Sequence, residues 1–250
     1  MTKLFLLIVA VSLFGAKGVL IPFYHYPSFE DSETKKLIWL KKAYPHVHII
    51  AIINPNNGHF HKEEYLFAKM IDELHENNIT TIGYVHTSYG NRQIEKVRED
   101  IENWARFYKK WGILGIFLDE VNCSNPSYYS KLSDYIRRHF YLVVANPGVV
   151  CGSDFFDANI SDIVVIHENS HSDFTPVSTH TDTAVLLHST AKFDDALIQK
   201  TDYIYITEQN GSNPWGKLSN HLERLLGLIE RGFHQNLNKK PVQLQTQSHE

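Results

Sequence analysis

Gly115-Ile116-Phe117-Leu118-Asp119-Glu120 is a short apolar run that stops abruptly on two carboxylates. A parallel strand buried on both faces reads as such a continuous hydrophobic run. Charges at its C-terminal end then stand at the rim of a barrel or open sheet, where α/β folds build their sites. A second run of the same shape is Asp162-Ile163-Val164-Val165-Ile166-His167-Glu168. Two strands delivering acids to one rim supply the minimum apparatus for breaking a glycosidic bond.

Outward from these two runs, strand and helix patterns alternate. Segments rich in Val, Ile and Tyr predict strands over 19–26, 48–54, 81–87, 115–120, 141–146, 163–168, 184–188 and 203–207. Between them, apolar spacings of three and four predict amphipathic helices. The clearest are 62–76, with Tyr65, Ala68, Met70, Ile71 and Leu74 apolar, and 94–110, with Val97, Ile101, Trp104, Ala105 and Tyr108. Others are expected over 128–138, 192–200 and 218–231. The connection 170–182 is polar and holds a proline, so its helix is expected to be missing or short. Eight strands alternating with helices predict a single-domain (β/α)8 TIM barrel of the α/β class. A doubly wound open sheet is the alternative, and no Gly-rich dinucleotide fingerprint follows the first strand to favour it.

The chain has 250 residues and a formal net charge of -4, and no basic patch points to nucleic acid. Lys3 precedes an apolar stretch, 4–14, too short to span a bilayer comfortably. Small residues follow at Gly15, Ala16 and Gly18, which predicts a secretory leader over 1–18, cleaved after Ala16 or Gly18. The alternative is a buried first strand or an uncleaved anchor. The barrel is then expected over 19–234 and a polar mobile tail over 235–250. A secreted, extracellular monomer with no membrane contact after cleavage is the expectation. Four sequons, at Asn78, Asn122, Asn159 and Asn210, agree with secretion. So do the two cysteines, Cys123 and Cys151. Both follow predicted strands on one face, so a disulfide between their loops is expected.

Several strand-end segments carry a resemblance. They are 21–27 (Ile-Pro-Phe-Tyr-His-Tyr-Pro), 53–58 (Ile-Asn-Pro-Asn-Asn-Gly), 83–90 (Gly-Tyr-Val-His-Thr-Ser-Tyr-Gly), 115–120, Asn146-Pro147-Gly148 and the His167-Glu168 ending. In this order they resemble the spherulin-4 family over roughly 20–230. The resemblance implies a (β/α)8 fold and a glycoside hydrolase of the endo-α-1,4-N-acetylgalactosaminidase type. Its expected substrates are galactosamine-containing polysaccharides of biofilms and cell walls. It implies that the acids of strands four and six are essential, here Asp119, Glu120 and Glu168. By analogy with retaining α-glycosidase barrels, Asp119 is expected as nucleophile and Glu168 as acid/base, with the reverse left open. The family also includes encystment and spore-stage proteins without an assigned reaction. A non-catalytic coat or carbohydrate-binding protein on the same barrel is therefore the alternative.

Consecutive strand residues point to opposite faces, so Glu120 should turn away from the cleft unless the strand has already bent. Aromatic side chains at strand ends suit a sugar cleft, since each offers a flat apolar face and a polar edge. Tyr24, Tyr26, Tyr84, Tyr89 and Trp215 are the candidates, with His25 and His86 for sugar hydroxyls. Asn54 and Asn146 precede prolines and either brace the rim or donate to substrate. The 15 histidines invite a metal reading, and His59-Phe60-His61 is a His-x-His pair. Metal-dependent hydrolase barrels usually carry that pair on the first strand, where this chain has only His25. No metal and no cofactor are expected. No Gly-x-Ser-x-Gly elbow supports a serine nucleophile.

Overall fold

The computed structural model describes residues 15–238. Eight strands close into a barrel in chain order: β1 (Gly18–Phe23), β2 (His48–Ile53), β3 (Thr80–His86), β4 (Ile113–Asp119), β5 (Leu142–Ala145), β6 (Ile163–Asn169), β7 (Asp182–Leu187) and β8 (Tyr203–Ile206). Every neighbouring pair is parallel, and Gly18 opposite Tyr203 closes the ring. Closure excludes the doubly wound sheet and establishes the (β/α)8 barrel. The strands are buried along nearly their whole length, as parallel strands sandwiched by helices must be.

The helices are α1 (Ser32–Ala43), α2 (Tyr65–Glu76), α3 (Ile94–Phe107), α4 (Pro126–Ile136), α5 (Ser153–Asp157) and α6 (Leu222–Asn238). In α2 the buried stripe is Phe67, Ala68, Met70, Ile71 and Leu74, and Tyr65 of the expected stripe is exposed instead. It is the first helical residue, so it lies at the rim, off the packed face. In α3, Val97, Ile101 and Trp104 are buried as expected. Gly83 of β3 faces outward against that helix, where an added Cβ would fall 2.3 Å from the Trp104 ring. Trp104 Nε1 donates to the Tyr84 carbonyl at 3.0 Å, and alternation turns the Tyr84 side chain into the barrel.

Two expectations need correction, and one helix was not foreseen. The helix expected over 192–200 is only a 3-10 turn, Asp195–Gln199, in which just Leu197 and Ile198 are buried, too few to hold a longer amphipathic segment. The polar tail expected from residue 235 starts as helix, for α6 runs on through Asn238 with no proline or glycine in 235–238. Helix α1 was not expected, since its buried residues are only Thr34, Leu37 and Leu40. Its signal was the cap: Asp31 accepts the Thr34 backbone N–H at 3.1 Å and the Thr34 hydroxyl at 2.7 Å. Residues 170–181 hold no helix, as expected. Most of the expected leader, 1–14, lies outside the described residues. Ala16 and Lys17 donate backbone N–H groups to Ile198 and Asp202 at 2.6 and 2.7 Å, so cleavage after Gly18 would remove chain that is bonded into the barrel.

Candidate active site

Both carboxylates arrive at the C-terminal rim. β4 turns Phe117 and Asp119 inward, and Asp119 is its last residue. In β6 the register shifts between Val165 and His167, just before Glu168. Such bulges re-aim the side chains that follow, and are common beside active sites. The Glu168 N–H donates to the Gly148 carbonyl at 3.1 Å. Gly148 has φ 66°, which a glycine adopts without strain. The Asn146 backbone is held on both sides, donating to Leu118 O at 2.8 Å and accepting from Val121 N at 3.0 Å.

Asn146 joins the two acids. Its Nδ2 donates to Asp119 Oδ1 at 2.7 Å and to Glu168 Oε2 at 2.6 Å. Those two oxygens therefore stand no more than roughly 5 Å apart, close enough for both to reach one glycosidic linkage. Tyr84 Oη donates to the other Asp119 oxygen at 2.7 Å. Desolvation pushes both carboxyl pKa values up. Glu168 reaches about 7; burial is the main cause, the Asn146 amide opposes it, and the Asp119 charge adds to it. For Asp119 the Tyr84 hydroxyl, a backbone N–H and the Asn146 amide all favour the ionised form against burial. Burial also raises Tyr24 and Tyr84, next to the carboxylate charges, so both remain neutral donors.

The pair stands between two hollows of ≈ 490 Å³ each, and Asp119, Asn146 and Glu168 line both. The first hollow takes Tyr24, Asn54, Tyr84 and Trp215 of the expected residues. Tyr24 and Tyr84 meet edge to face at 5.7 Å, and Trp215 packs against Tyr205 with centroids 6.1 Å apart. The Oδ1 atoms of Asn54 and Asn146 are buried without a hydrogen-bond partner. The second hollow takes Tyr89, which is exposed, and Glu120. Glu120 does not turn away: its φ of 54° bends the chain directly after β4. Its carbonyl is fixed by Tyr89 N at 2.7 Å and Thr87 Oγ1 at 2.8 Å, and its carboxylate lies 3.7 Å from His86 Nδ1.

Three expected sugar contacts lie elsewhere. His25 Nε2 pairs with Asp31 at 2.9 Å and its ring lies against Phe23, so it braces the start of α1 outside both hollows. Tyr26 is exposed and donates to Glu64 beside Phe67. His86 lines neither hollow; its Nδ1 lies 3.7 Å from the Glu120 carboxylate and 3.3 Å from the Ser88 hydroxyl. Residues not foreseen include Asn56, Asn57 and Asn213 in the first hollow and Asn169 and His188 in the second. His188 ends a predicted strand, the position that marks rim residues. Asn213-Pro214 before Trp215 is a turn signal on a site-forming loop. His59 and His61 pack edge to face near Asp100 and line neither hollow. Cys123 and Cys151 are joined, with Cα atoms 5.3 Å apart, and tie the loop after β4 to the loop after β5.

Comparison with known proteins agrees with this architecture. Spherulin-4 of Physarum polycephalum is 33% identical over 159 residues, 62% of this chain, and the match spans 45% of that longer relative. Among solved structures, Aspergillus clavatus Sph3 in complex with GalNAc superposes with a TM-score of 0.76 at 22% identity, covering 86% of this chain and 98% of that one. The endo-beta-1,4-mannanase of Thermotoga petrophila gives 0.57 at 12% identity, over 93% and 79%. The family model described as "Spherulation-specific family 4" matches residues 18–229. The chain belongs to this spherulin-4 family.

Proposed function

We propose that the protein is a secreted glycoside hydrolase that cuts α-1,4-linked galactosamine or N-acetylgalactosamine polysaccharide with retention of configuration. The observation that carries this reading is the Asn146 amide, which holds two carboxyl groups of unequal acidity about one sugar linkage apart. Asp119, favoured in its ionised form by Tyr84 and Asn146, attacks the anomeric carbon. Glu168, protonated up to about pH 7, gives its proton to the departing glycosidic oxygen. In the second step Glu168 takes a proton from water, the water oxygen attacks the anomeric carbon, and the Asp119 carboxylate leaves. Every proton is returned, so no metal or cofactor is required by the scheme.

Two hollows flanking the pair support an internal cut, with sugar on both sides of the broken bond. Tyr24, Tyr84 and Trp215 supply ring faces for the pyranose on one side. Glu120 supports the site as a second charge near His86 and is assigned no proton transfer. The GalNAc bound to Sph3 and the family membership favour an amino-sugar polymer as substrate. The disulfide and the apolar N-terminal stretch favour an oxidising, extracellular location. Product analysis on α-1,4-linked galactosamine and N-acetylgalactosamine polymers tests the proposal. Oligosaccharide release by the wild-type protein and none by Asp119→Asn is expected. Binding without products over long incubation would instead identify a carbohydrate-binding coat protein.

A further inference from the structure

The opposite end of the barrel carries a cluster that the cleft does not use. His46 lies in the turn between α1 and β2, and Glu230 and His234 share one face of α6 at a spacing of four. His46 Nδ1 touches Glu230 Oε1, and His234 Nε2 lies 3.4 Å from the same oxygen. One donor atom from each of the three residues falls within 4.8 Å of the others. The remaining Glu230 oxygen accepts the His46 backbone N–H at 3.2 Å, and the His46 ring stacks on Phe233 at 4.7 Å with a 14° tilt. The His46 backbone N–H and the Phe233 ring thus orient Glu230 and His46, as outer partners orient metal ligands, while the atoms that would take the metal contact one another. Glu230 is 13% exposed, while His46 and His234 are 43% and 54% exposed, so one side stays open to water.

We propose that His46, Glu230 and His234 bind a divalent transition-metal ion, zinc above all, which clamps α6 to the α1–β2 turn. Two imidazoles and a carboxylate are a zinc donor set, and water completes the tetrahedron. Bond lengths of about 2.0–2.2 Å place such donors roughly 3.3 Å apart, so small side-chain rotations close the site. Lys41 is the opposing charge: it is felt at Glu230, and its ammonium is tied to the carbonyls of Pro45 and Val47 at 2.9 and 2.8 Å. It weakens cation binding without filling the site. The clamp has mechanical purpose, because an apolar hollow of ≈ 270 Å³ lies beneath, lined by Ala16, Val47, Ile198, Leu228 and Phe233. Among the described residues that hollow leaves part of α6 uncovered, and a metal bridge beside it ties the helix down.

Untagged full-length protein, stripped with chelator and titrated with zinc chloride against a chromophoric zinc indicator, tests this. One equivalent is expected to bind with micromolar affinity, and magnesium at the same concentration is not. Zinc at about 100 times its Kd is expected to raise Tm by about 5–10 °C. His46→Ala and His234→Ala each remove a ligand, which costs at least the roughly tenfold loss seen for outer partners. Both are exposed, so the variants fold, which circular dichroism without metal verifies. Absence of saturable binding, or one equivalent retained by the His46→Ala/His234→Ala double variant, would overturn the proposal.

Discussion

The two ends of the barrel follow different rules. At the N-terminal end of the strands, charges are paired. Lys17 reaches Asp182 at 2.5 Å and Asp202 at 3.4 Å, and Arg137 forks onto both Asp162 oxygens at 3.1 and 3.2 Å. Asp162 and Asp202 also accept the backbone N–H groups of Val143 and Thr183. At the C-terminal end, Asp119 and Glu168 face each other across neutral donors: the Asn146 amide, the Tyr84 phenol and a backbone N–H. Of the eight described non-glycine residues with positive φ, six (Asn56, Asn57, Ser88, Tyr89, Glu120 and Ser189) belong to loops at this end. One end satisfies its charges and holds the fold together. The other concentrates like charge and strained backbone, which a fold retains where a site uses them.

The largest expected break between the ends is catalytic. Asp119→Asn or Glu168→Gln lowers kcat by about 1,000-fold, whereas Arg137→Ala leaves it within about twofold, measured as reducing ends released from polymer. Equal losses at both ends would erase the distinction. Asn146→Ala removes a donor to both charged oxygens and lowers kcat/KM by about 10- to 100-fold. It also moves the Glu168 limb of the pH profile upward, since the amide holds that pKa down. In the wild-type protein kcat/KM is expected to fall as pH rises through about 7, where Glu168, the proposed acid, loses its proton.

Stability sharpens the comparison with the opposite sign. Glu168 is raised in the folded state, so between its unfolded value and about 7 the folded protein binds more protons than the unfolded chain. Its charge therefore destabilises increasingly through that window, and the penalty is complete above it. Glu168→Gln should raise the unfolding free energy by about 3 kcal/mol at pH 8 and by almost nothing at pH 4, read from urea melts. A loss at pH 8 would refute the assignment of buried charge to the rim. Arg137→Ala, which breaks a half-exposed pair, should lower stability by about 0.5–1 kcal/mol at both pH values.

The rim was more legible than the outer shell. Asp119 and Glu168 end apolar runs, and that pattern survives whatever the loops do. Their bridge through Asn146 was not legible, because a side chain after β5 must meet two strands on either side, which only closure sets. Glu120 shows the limit of alternation: period two holds inside a strand and fails at the first left-handed residue past it. His25 was misplaced because its partner, Asp31, caps a helix whose two buried leucines make too weak a stripe to announce it. The floor cluster escaped for a similar reason, as His46 lies 184 residues from Glu230.

The disulfide between Cys123 and Cys151 makes a covalent ring of the chain that carries α4, β5 and Asn146. Peptide continuity is therefore redundant there. A single protease cut inside the ring leaves one molecule on a non-reducing gel and two fragments after reductant. The residue that couples the two acids stays tethered through either arm of the loop.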